Sequence, residues 1–325
     1  MAERRNTEMG LVDGITAEFG GPRTAALLDR LNATIPWGTL VAPILALPEY
    51  QAAAKGGRPA WPALTMLKCI LLAKWFGLSD PQLEECLQDR LSFRRFVGLS
   101  LHDGTPDETT FVRFRARLRE ANLDRRLFDD TVTTLERRGL LVRQGTLVDA
   151  TIIEQSRGGK RDDGTSTRDP EASYTSKHGR AHHGFKGHIA ADFSGVVTDF
   201  RFTTAKEHDS TRIDELTEHE RSVVVADAAY SSADRRSRLR RRGVIDAIAH
   251  KRHRGQKALT RAQKSWNRDV SRLRARVEHP FAWMKQMAQG FRGRCRYRGR
   301  RRNELDFALN LAAYNWKRSL SLATA

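Results

Sequence analysis

The stretch GTLVDATII, residues 145–153, decides the fold. It is short, apolar and rich in β-branched residues, which is typical of a strand. It also places an acid, Asp149, inside the apolar run. Helical patterns precede it and strand patterns follow, with the change near Gln144. We therefore predict two domains, a helical one over residues 1–140 and a sheet-containing one over residues 141–325.

The residues after this strand predict the rest of a sheet. Residues 185–193 and 196–204 predict two strands joined at Ser194-Gly195 in a hairpin. A buried strand at 222–227 ends in a second acid, Asp227, and a last strand covers 246–249. Helices are predicted at 209–216 and 231–241, and a long basic loop at 155–184. This order favours an α/β class with a mixed sheet and flanking helices, which is a ribonuclease H-like arrangement.

The N-terminal domain is predicted to be all-helical. Apolar residues recur at helical spacing over 64–78, and Ser79 with Gln82 forms a capping box for a second helix. A third helix follows Pro106-Asp107 and interleaves apolar residues with arginines, among them Arg113 and Arg117. Short helices with a basic member suggest a helix-turn-helix-like module in which these two arginines bind DNA. The alternative is an amphipathic helix whose arginines are merely solvated.

Composition points to a polyanionic partner. The 325 residues carry a formal net charge of +18 and a pI near 10.5, which favours nucleic acid.

No run of 18 apolar residues supports a membrane span, and the first residues lack an apolar signal core, so a cytosolic protein is expected. Three widely spaced cysteines form no CxxC pair, which excludes a zinc ribbon and a disulfide framework. Four histidines between 178 and 188 also lack a cysteine partner, so a loop near phosphate is favoured over a zinc site.

The stretch RLRARVEHPFAWMK, residues 272–285, places the carboxylate of Glu278 between basic groups. On one continuous helix Arg274, Glu278 and Lys285 would share nearly one angular position. That pattern suits a site that handles cations and phosphate, and it equally suits a surface salt-bridge ladder. Pro280 predicts that a helix starts or kinks at Glu278.

Three acids could meet at one site. Asp149 and Asp227 fall on strands of an α/β sheet, where ligands gather at strand ends, and Glu278 follows. Each acid has a plain structural alternative: Asp149 could make turn hydrogen bonds and Asp227 could cap the next helix. Together, three carboxylates suit two hard divalent cations, preferably Mg²⁺, that drive in-line displacement at phosphorus. Arg274 and Lys285 would then bind phosphate oxygens.

Several motifs together are specific to one family. They are LVDATII (147–153), GFKGHIAADF (184–193), His208-Asp209, VVVADAAY (223–230), VEHPFAWMK (277–285) and RYRG (296–299), preceded by GRPAWPALTMLKCILL, LSDPQLEE and PDETTFVRFRARL. With the spacing Arg-x3-Glu-x6-Lys, the chain resembles the DDE transposases of bacterial insertion sequences. The insertion sequence 5 family is the closest likeness and the insertion sequence 4 family the next. One departure is Ser271, where that family often carries a tyrosine.

The resemblance implies a function for each part of the chain. Catalysis and metal binding would rest on Asp149, Asp227 and Glu278, with two Mg²⁺ ions that Mn²⁺ can replace. The protein would cleave at terminal inverted repeats and join the 3′-hydroxyl to target DNA, as a homodimer on double-stranded DNA in the bacterial cytoplasm, associated with the nucleoid. Candidate DNA contacts are Arg113, Arg117, Lys186, Arg274, Lys285, Arg296, Tyr297 and Arg298, with His208 and Asp209 in supporting roles.

The contacts predicted at Arg296, Tyr297 and Arg298 rest on a basic run that contains aromatic residues. The run at 292–302 is interleaved with Phe291 and Tyr297, which offer stacking surfaces beside backbone-binding arginines. Two other functions fit the same pattern: a ribonuclease H-like nuclease or resolvase without strand transfer, and a DNA-binding protein whose acids are only structural.

Overall fold

The computed structural model describes residues 23–51, 59–156, 158–177, 179–252, 254–287 and 294–323. These residues form two compact units. The first holds the described residues up to Thr134 together with those from Ala308 onward. The second holds Leu135–Gln286 and the described residues that lead up to Phe307.

The first unit is helical. Its helices up to residue 137 are α1 (Arg23–Thr34), α2 (Trp37–Leu45), α3 (Pro48–Gln51), α4 (Ala63–Phe76), α5 (Asp80–Asp89), α6 (Leu91–Val97), α7 (Glu108–Glu120) and α8 (Leu123–Arg137). α4 is buried along nearly its whole length and so forms the centre of the unit. The three helices that the sequence predicts correspond to α4, α5 and α7.

Side-chain caps fix where two of these helices begin. The hydroxyl of Ser79 accepts a hydrogen bond from the backbone N–H of Gln82, and the Gln82 side chain accepts one from the N–H of Ser79. This is the predicted capping box. Asp107 caps α7 in a similar way, through the N–H of Thr110 at 2.6 Å.

The second unit contains a mixed sheet. Its strands are β1 (Thr146–Glu154), β2 (Ser173–Lys177), β3 (Arg180–Ala191), β4 (Val197–Thr204), β5 (Val223–Ala226) and β6 (Ile245–Ile248). The order is β2-β3-β1-β5-β6, and β4 also pairs with β3. Pairings among the first four strands are antiparallel, whereas β1–β5 and β5–β6 are parallel. This is the predicted ribonuclease H-like mixed sheet with flanking helices.

The register of the central strands brings two acids level with each other. In the parallel pair β1–β5, Leu147 lies opposite Val225. Asp149, within β1, and Asp227, directly after β5, each come two residues later, so their side chains lie at the same level and on the same face of the sheet. Adjacent strands lie about 4.8 Å apart, so this register alone predicts that the two carboxylates are neighbours.

One strand lies inside the region predicted as a loop. Residues 155–184 contain β2 and the beginning of β3, so the prediction of one long loop is wrong for their last part. The sequence of β2, SYTSK, is polar and basic and shows no apolar alternation. Its strand conformation comes from pairing with β3, which is a tertiary effect that local sequence does not show.

The remaining helices lie between the later sheet strands and after the last of them. They are α9 (Ile213–Leu216), α10 (Ala233–Arg241), α11 (Arg261–Arg274), α12 (Glu278–Met287) and α13 (Arg300–Leu322). Two short 3-10 turns, Asp209–Thr211 and Ala228–Tyr230, precede α9 and α10. None of the helices within the described residues is both long and apolar enough to cross a bilayer.

The chain turns between α11 and α12, so Arg274, Glu278 and Lys285 do not lie on one continuous helix. Residues 275–277 form a turn in which the N–H of Val277 donates to the carbonyl of Arg274 at 2.9 Å. α12 starts at Glu278, which is one of the two outcomes that Pro280 predicts. Pro280 is the third helical residue, where a missing N–H costs no intrahelical hydrogen bond.

Candidate active site

Asp149 and Asp227 face the same guanidinium group. The Nη2 atom of Arg274 lies 3.4 Å from Oδ2 of Asp149 and 4.0 Å from Oδ2 of Asp227. Each residue comes from a different element: the middle of β1, the end of β5 and the last residue of α11. Two acids that are 78 positions apart in sequence therefore share one positive charge.

The environment of Asp149 opposes its ionisation. Burial raises the pKa of Asp149 above its usual value, and the nearby charge of Asp227 acts in the same direction. Arg274 and the backbone N–H of Ala150, which donates to Oδ1 at 2.8 Å, partly offset this rise. Arg274 therefore supplies the positive charge that favours the ionised form of Asp149.

Asp227 is a helix cap and a member of the acid pair at once. Its Oδ1 atom accepts a hydrogen bond from the N–H of Ala229 at 2.8 Å and so caps the 3-10 turn Ala228–Tyr230. Its Oδ2 atom is the one that faces Arg274. The capping alternative raised by the sequence is therefore present, and it leaves one carboxylate oxygen for the site.

Glu278 lies apart from this pair. It is exposed at the start of α12, and Lys285 is exposed on the same helix seven residues later. The inward side of that segment is formed by Val277, Phe281 and Met284, which are buried. Within the described ranges, no group of three or more His, Cys, Asp or Glu side chains is arranged to hold a metal ion. The structure therefore brings together two of the three predicted acids.

The two aspartates by themselves suit a hard cation. Carboxylate oxygens are the ligands that Mg²⁺ prefers, and both carboxylates already converge on a positive group. A third carboxylate, that of Glu278, comes four residues after Arg274 in the sequence. The residues present therefore fit a divalent cation at the Asp149–Asp227 pair.

Lys186 is buried and is not a surface contact, contrary to its predicted role in DNA binding. Its ammonium group lies 2.7 Å from Oδ1 of Asp209 and donates to the carbonyl of Glu207. His208, which is exposed, caps the turn Asp209–Thr211 through its ring nitrogen. The sequence alone does not show that Lys186 is buried in an ion pair, because its partner, Asp209, lies 23 positions away.

The arginines of α7 fall into two classes. Arg113 is exposed, whereas Arg117 pairs with Glu49 through Nε at 3.0 Å. Both line a cavity of about 270 Å³ in the first unit, whose wall includes Trp61. Arg115, between them, is buried in a two-pronged ion pair with Asp80. Arg113 is thus available for an anionic partner, whereas Arg117 is half-buried in an ion pair with Glu49 and Arg115 is buried.

The segment 296–298 is held against the loop that follows β1. The carbonyl of Tyr297 accepts hydrogen bonds from Gln155 at 3.1 Å and from Asn303 at 2.7 Å. The guanidinium of Arg296 lies 5.5 Å from the centre of the Tyr297 ring, and Arg298 is exposed. Phe291 and His178, which entered the sequence arguments, lie outside the described residues.

Sequence reasoning missed one buried residue at this site, Tyr230. Its side chain is 1% exposed, and its hydroxyl has no hydrogen-bond partner among the described residues. The turn that it ends packs against the turn Asp209–Thr211. Its position three residues after Asp227 was visible in the sequence, but its burial was not.

Comparison with known families decides the class of protein. The family described as the transposase DDE domain matches residues 141–316, which is just over half of the chain. This chain belongs to the transposase DDE domain family. A second family, described as a transposase domain (DUF772), matches residues 21–117. The DDE family is one of enzymes that cut and join DNA, and both Asp149 and Asp227 lie within the matched residues.

One solved structure is also similar to this chain, "Crystal structure of the Mos1 Strand Transfer Complex". The identity is 14%, the match covers 73% of this chain and 81% of that one, and the TM-score is 0.20. So loose an overlap has no bearing on the role of any residue in this transposase.

Proposed function

We propose that this transposase mobilises a bacterial insertion sequence of the insertion sequence 5 type. It would bind the terminal inverted repeats, cleave at the element ends and join the freed 3′-hydroxyl to target DNA. The observation that supports this most is the pair of aspartates, level on adjacent parallel strands and facing one guanidinium nitrogen at 3.4 and 4.0 Å. The protein would act in the bacterial cytoplasm, on nucleoid DNA.

The acids would hold two Mg²⁺ ions, which Mn²⁺ can replace. Such ions, when bound, activate the attacking oxygen and stabilise the leaving oxygen in displacement at phosphorus. Asp149 and Asp227 supply the converging carboxylates, and Glu278 completes the set from the first turn of α12. The supporting observation is the site's need for positive charge, since burial and Asp227 both raise the pKa of Asp149.

Arg274 has two roles in this proposal. In the protein alone it neutralises the two aspartates. With the two aspartates neutralised by bound metal ions, its guanidinium would be free to bind a DNA phosphate with its planar fork. Lys285, exposed on α12, would bind a neighbouring phosphate. The buried Nε of Arg274 has no hydrogen-bond partner among the described residues, so the side chain is only partly anchored.

Other basic residues would extend the DNA path. Arg113 and Arg117 on α7 would contact the element ends, and the segment 296–298 would contact the backbone near the site. Contacts of this kind supply affinity and register and do not select a sequence. The formal charge of +18 supports an extensive anionic partner, and a homodimer would bring two element ends together.

Strand joining tests the proposal directly. The purified protein, Mg²⁺, a duplex that carries the inverted repeats flanking the gene and a supercoiled target plasmid should give covalent joining of the 3′-hydroxyl strand to the plasmid. A duplex with scrambled ends is the control and should not be joined. Cleavage at the ends with no joined product would instead support a nuclease or resolvase, and no cleavage at all would support a non-catalytic DNA-binding protein.

Salt dependence tests the DNA path. The logarithm of the DNA association constant should fall linearly with the logarithm of salt concentration, at a slope of about −0.9 for each phosphate contacted. Arg113→Ala and Arg298→Ala should each make that negative slope shallower by about 1, as measured by fluorescence anisotropy with a labelled duplex. Arg126→Ala is the matched control, because Arg126 is exposed but pairs with Asp130 on its own helix. A slope that does not change in either test variant would remove that arginine from the path.

A further inference from the structure

Helix α11 carries a row of cations along its outer side. Arg261, Lys264, Arg268 and Arg272 are three or four residues apart, so they lie above one another on one face of the helix. All four are exposed, and Val270, the one buried residue of α11, lies on the opposite side. At a rise of 1.5 Å per residue, this α11 basic row is about 16 Å long.

The charge of the α11 basic row is not neutralised within the described part of the chain. Its one ion pair there joins Arg272 to Asp269 at 3.6 Å, and the two side chains are 82% and 64% exposed. A pair so open to water contributes little. The other three cations of the row have no carboxylate partner among the described residues. The row therefore keeps its positive charge for a partner outside the chain.

Helix α10 shows the contrast, because it is as basic as α11 but binds its arginines internally. Arg235 and Arg238 both pair with Asp214, at 3.1 and 2.7 Å. Arg236 pairs with Asp246 at 2.6 Å. These arginines of α10 stabilise the fold of the second unit. The α11 basic row has no such internal role.

The helix that carries the row is firmly held. The side chain of Asn267 accepts a hydrogen bond from the N–H of His250 at 2.7 Å and donates one to its carbonyl at 3.0 Å. Thr260 and Gln263 form a capping box at the first turn. The last residue, Arg274, faces the two aspartates. A rigid surface of this kind loses little conformational entropy when it binds a partner.

We propose that the α11 basic row binds the backbone of the target DNA duplex. This inference rests on the proposed strand-transfer function, which requires the protein to hold a second duplex besides the element ends. The exposed groups of the row are cations that suit phosphate, and phosphate contacts supply affinity and register without selecting a sequence. Each strand of a duplex carries a charge every 3.4 Å along the axis, so the row spans about five base pairs.

The direction of the row supports a second duplex. Arg268, in the middle of the row, lies about 120° round the helix from Arg274, at 3.6 residues per turn. Arg274 is on the side of α11 that faces the aspartates. That side is left for the strand that reacts, and the row faces away from it.

The double variant Lys264→Ala/Arg268→Ala tests the proposal by removing two neighbouring cations of the row. The full-length protein is kept saturated with an unlabelled duplex that carries the element ends, without metal, and a labelled duplex of unrelated sequence is titrated in at several salt concentrations. Fluorescence anisotropy gives the association constant of this second duplex. The slope of its logarithm against the logarithm of salt concentration should become shallower by about 1.8, which is 0.9 for each of two phosphates.

Binding and Mg²⁺-dependent cleavage of the end duplex should be unchanged in this variant, whereas joining to a target plasmid should fall. The melting temperature should match that of the wild type, since both side chains are exposed. The matched control is Arg240→Ala/Arg241→Ala, which removes two exposed cations from the last turn of α10. It should leave the slope for the second duplex unchanged.

Three results would overturn the inference alone. They are an unchanged slope in Lys264→Ala/Arg268→Ala, equal changes in this variant and in the control, and weaker binding of the end duplex, which would assign the row to element DNA. A wild-type protein that neither cleaves the element ends nor joins them to the plasmid would overturn the proposed function and, with it, this inference.

Discussion

Asp149→Asn and Asp227→Asn are each expected to reduce DNA cleavage by on the order of 10²–10³-fold or more, while DNA binding stays nearly intact. Asparagine keeps the shape of the side chain and removes the negative charge that would hold a divalent cation. The fold should survive, since Oδ1 in each case accepts a backbone hydrogen bond that the amide oxygen can still accept. Cleavage of a duplex with the element ends, binding anisotropy and the melting temperature measure the three quantities.

Glu278→Gln and Asp234→Asn complete this experiment. Asp234 is an exposed acid of the same unit that pairs with Arg238 on α10, so its amide variant should cleave normally. A loss for Glu278→Gln as large as that for the aspartates would place this exposed residue in the reaction. Normal cleavage would leave it as a surface acid of α12, and normal cleavage by either aspartate variant would remove that aspartate from the site.

The second large effect concerns stability. Arg115→Ala should lower the free energy of unfolding by about 3–5 kcal/mol, because it removes the two-pronged counterion of a buried carboxylate. The Nη1 atom of Arg115 lies 2.9 Å from Oδ1 of Asp80, and the two side chains are only 8% and 12% exposed. Urea unfolding, followed by tryptophan fluorescence and circular dichroism, measures the change.

Arg113→Ala is the matched control, two residues away on the same helix. Arg113 is exposed, so its removal should change the free energy of unfolding by less than about 0.5 kcal/mol and weaken DNA binding instead. Similar unfolding midpoints for the two variants would mean that the Arg115–Asp80 pair contributes little to the fold.

The sheet was largely predictable because its strands carry their own signals. β1 and β5 are apolar and β-branched, with Asp149 inside the first apolar run and Asp227 directly after the second. The prediction that Asp149 and Asp227 lie close together came from the rule that ligands gather at strand ends in α/β sheets. The capping box at Ser79 could also be predicted, because it is a local pairing of two side chains with two backbone groups.

The features that escaped prediction depend on distant partners. Lys186 and His188 alternate with apolar residues on β3, and the sequence does not show that both lie on a buried face. Lys186 is stabilised there by its ion pair with Asp209 and by a hydrogen bond to the carbonyl of Glu207. The turn at 275–277 is similarly hidden, because its residues fit a helical pattern and only Pro280, further on, indicates a break.

The parallel pairing of Leu147 with Val225 has a consequence for how the family can vary in length. Strand register, and not chain length, keeps Asp149 beside Asp227, so the segment between the two strands can grow or shrink without separating them. One residue inserted between Leu147 and Asp149 has the opposite effect. Since side chains alternate across a strand, it would turn the carboxylate to the far face of the sheet.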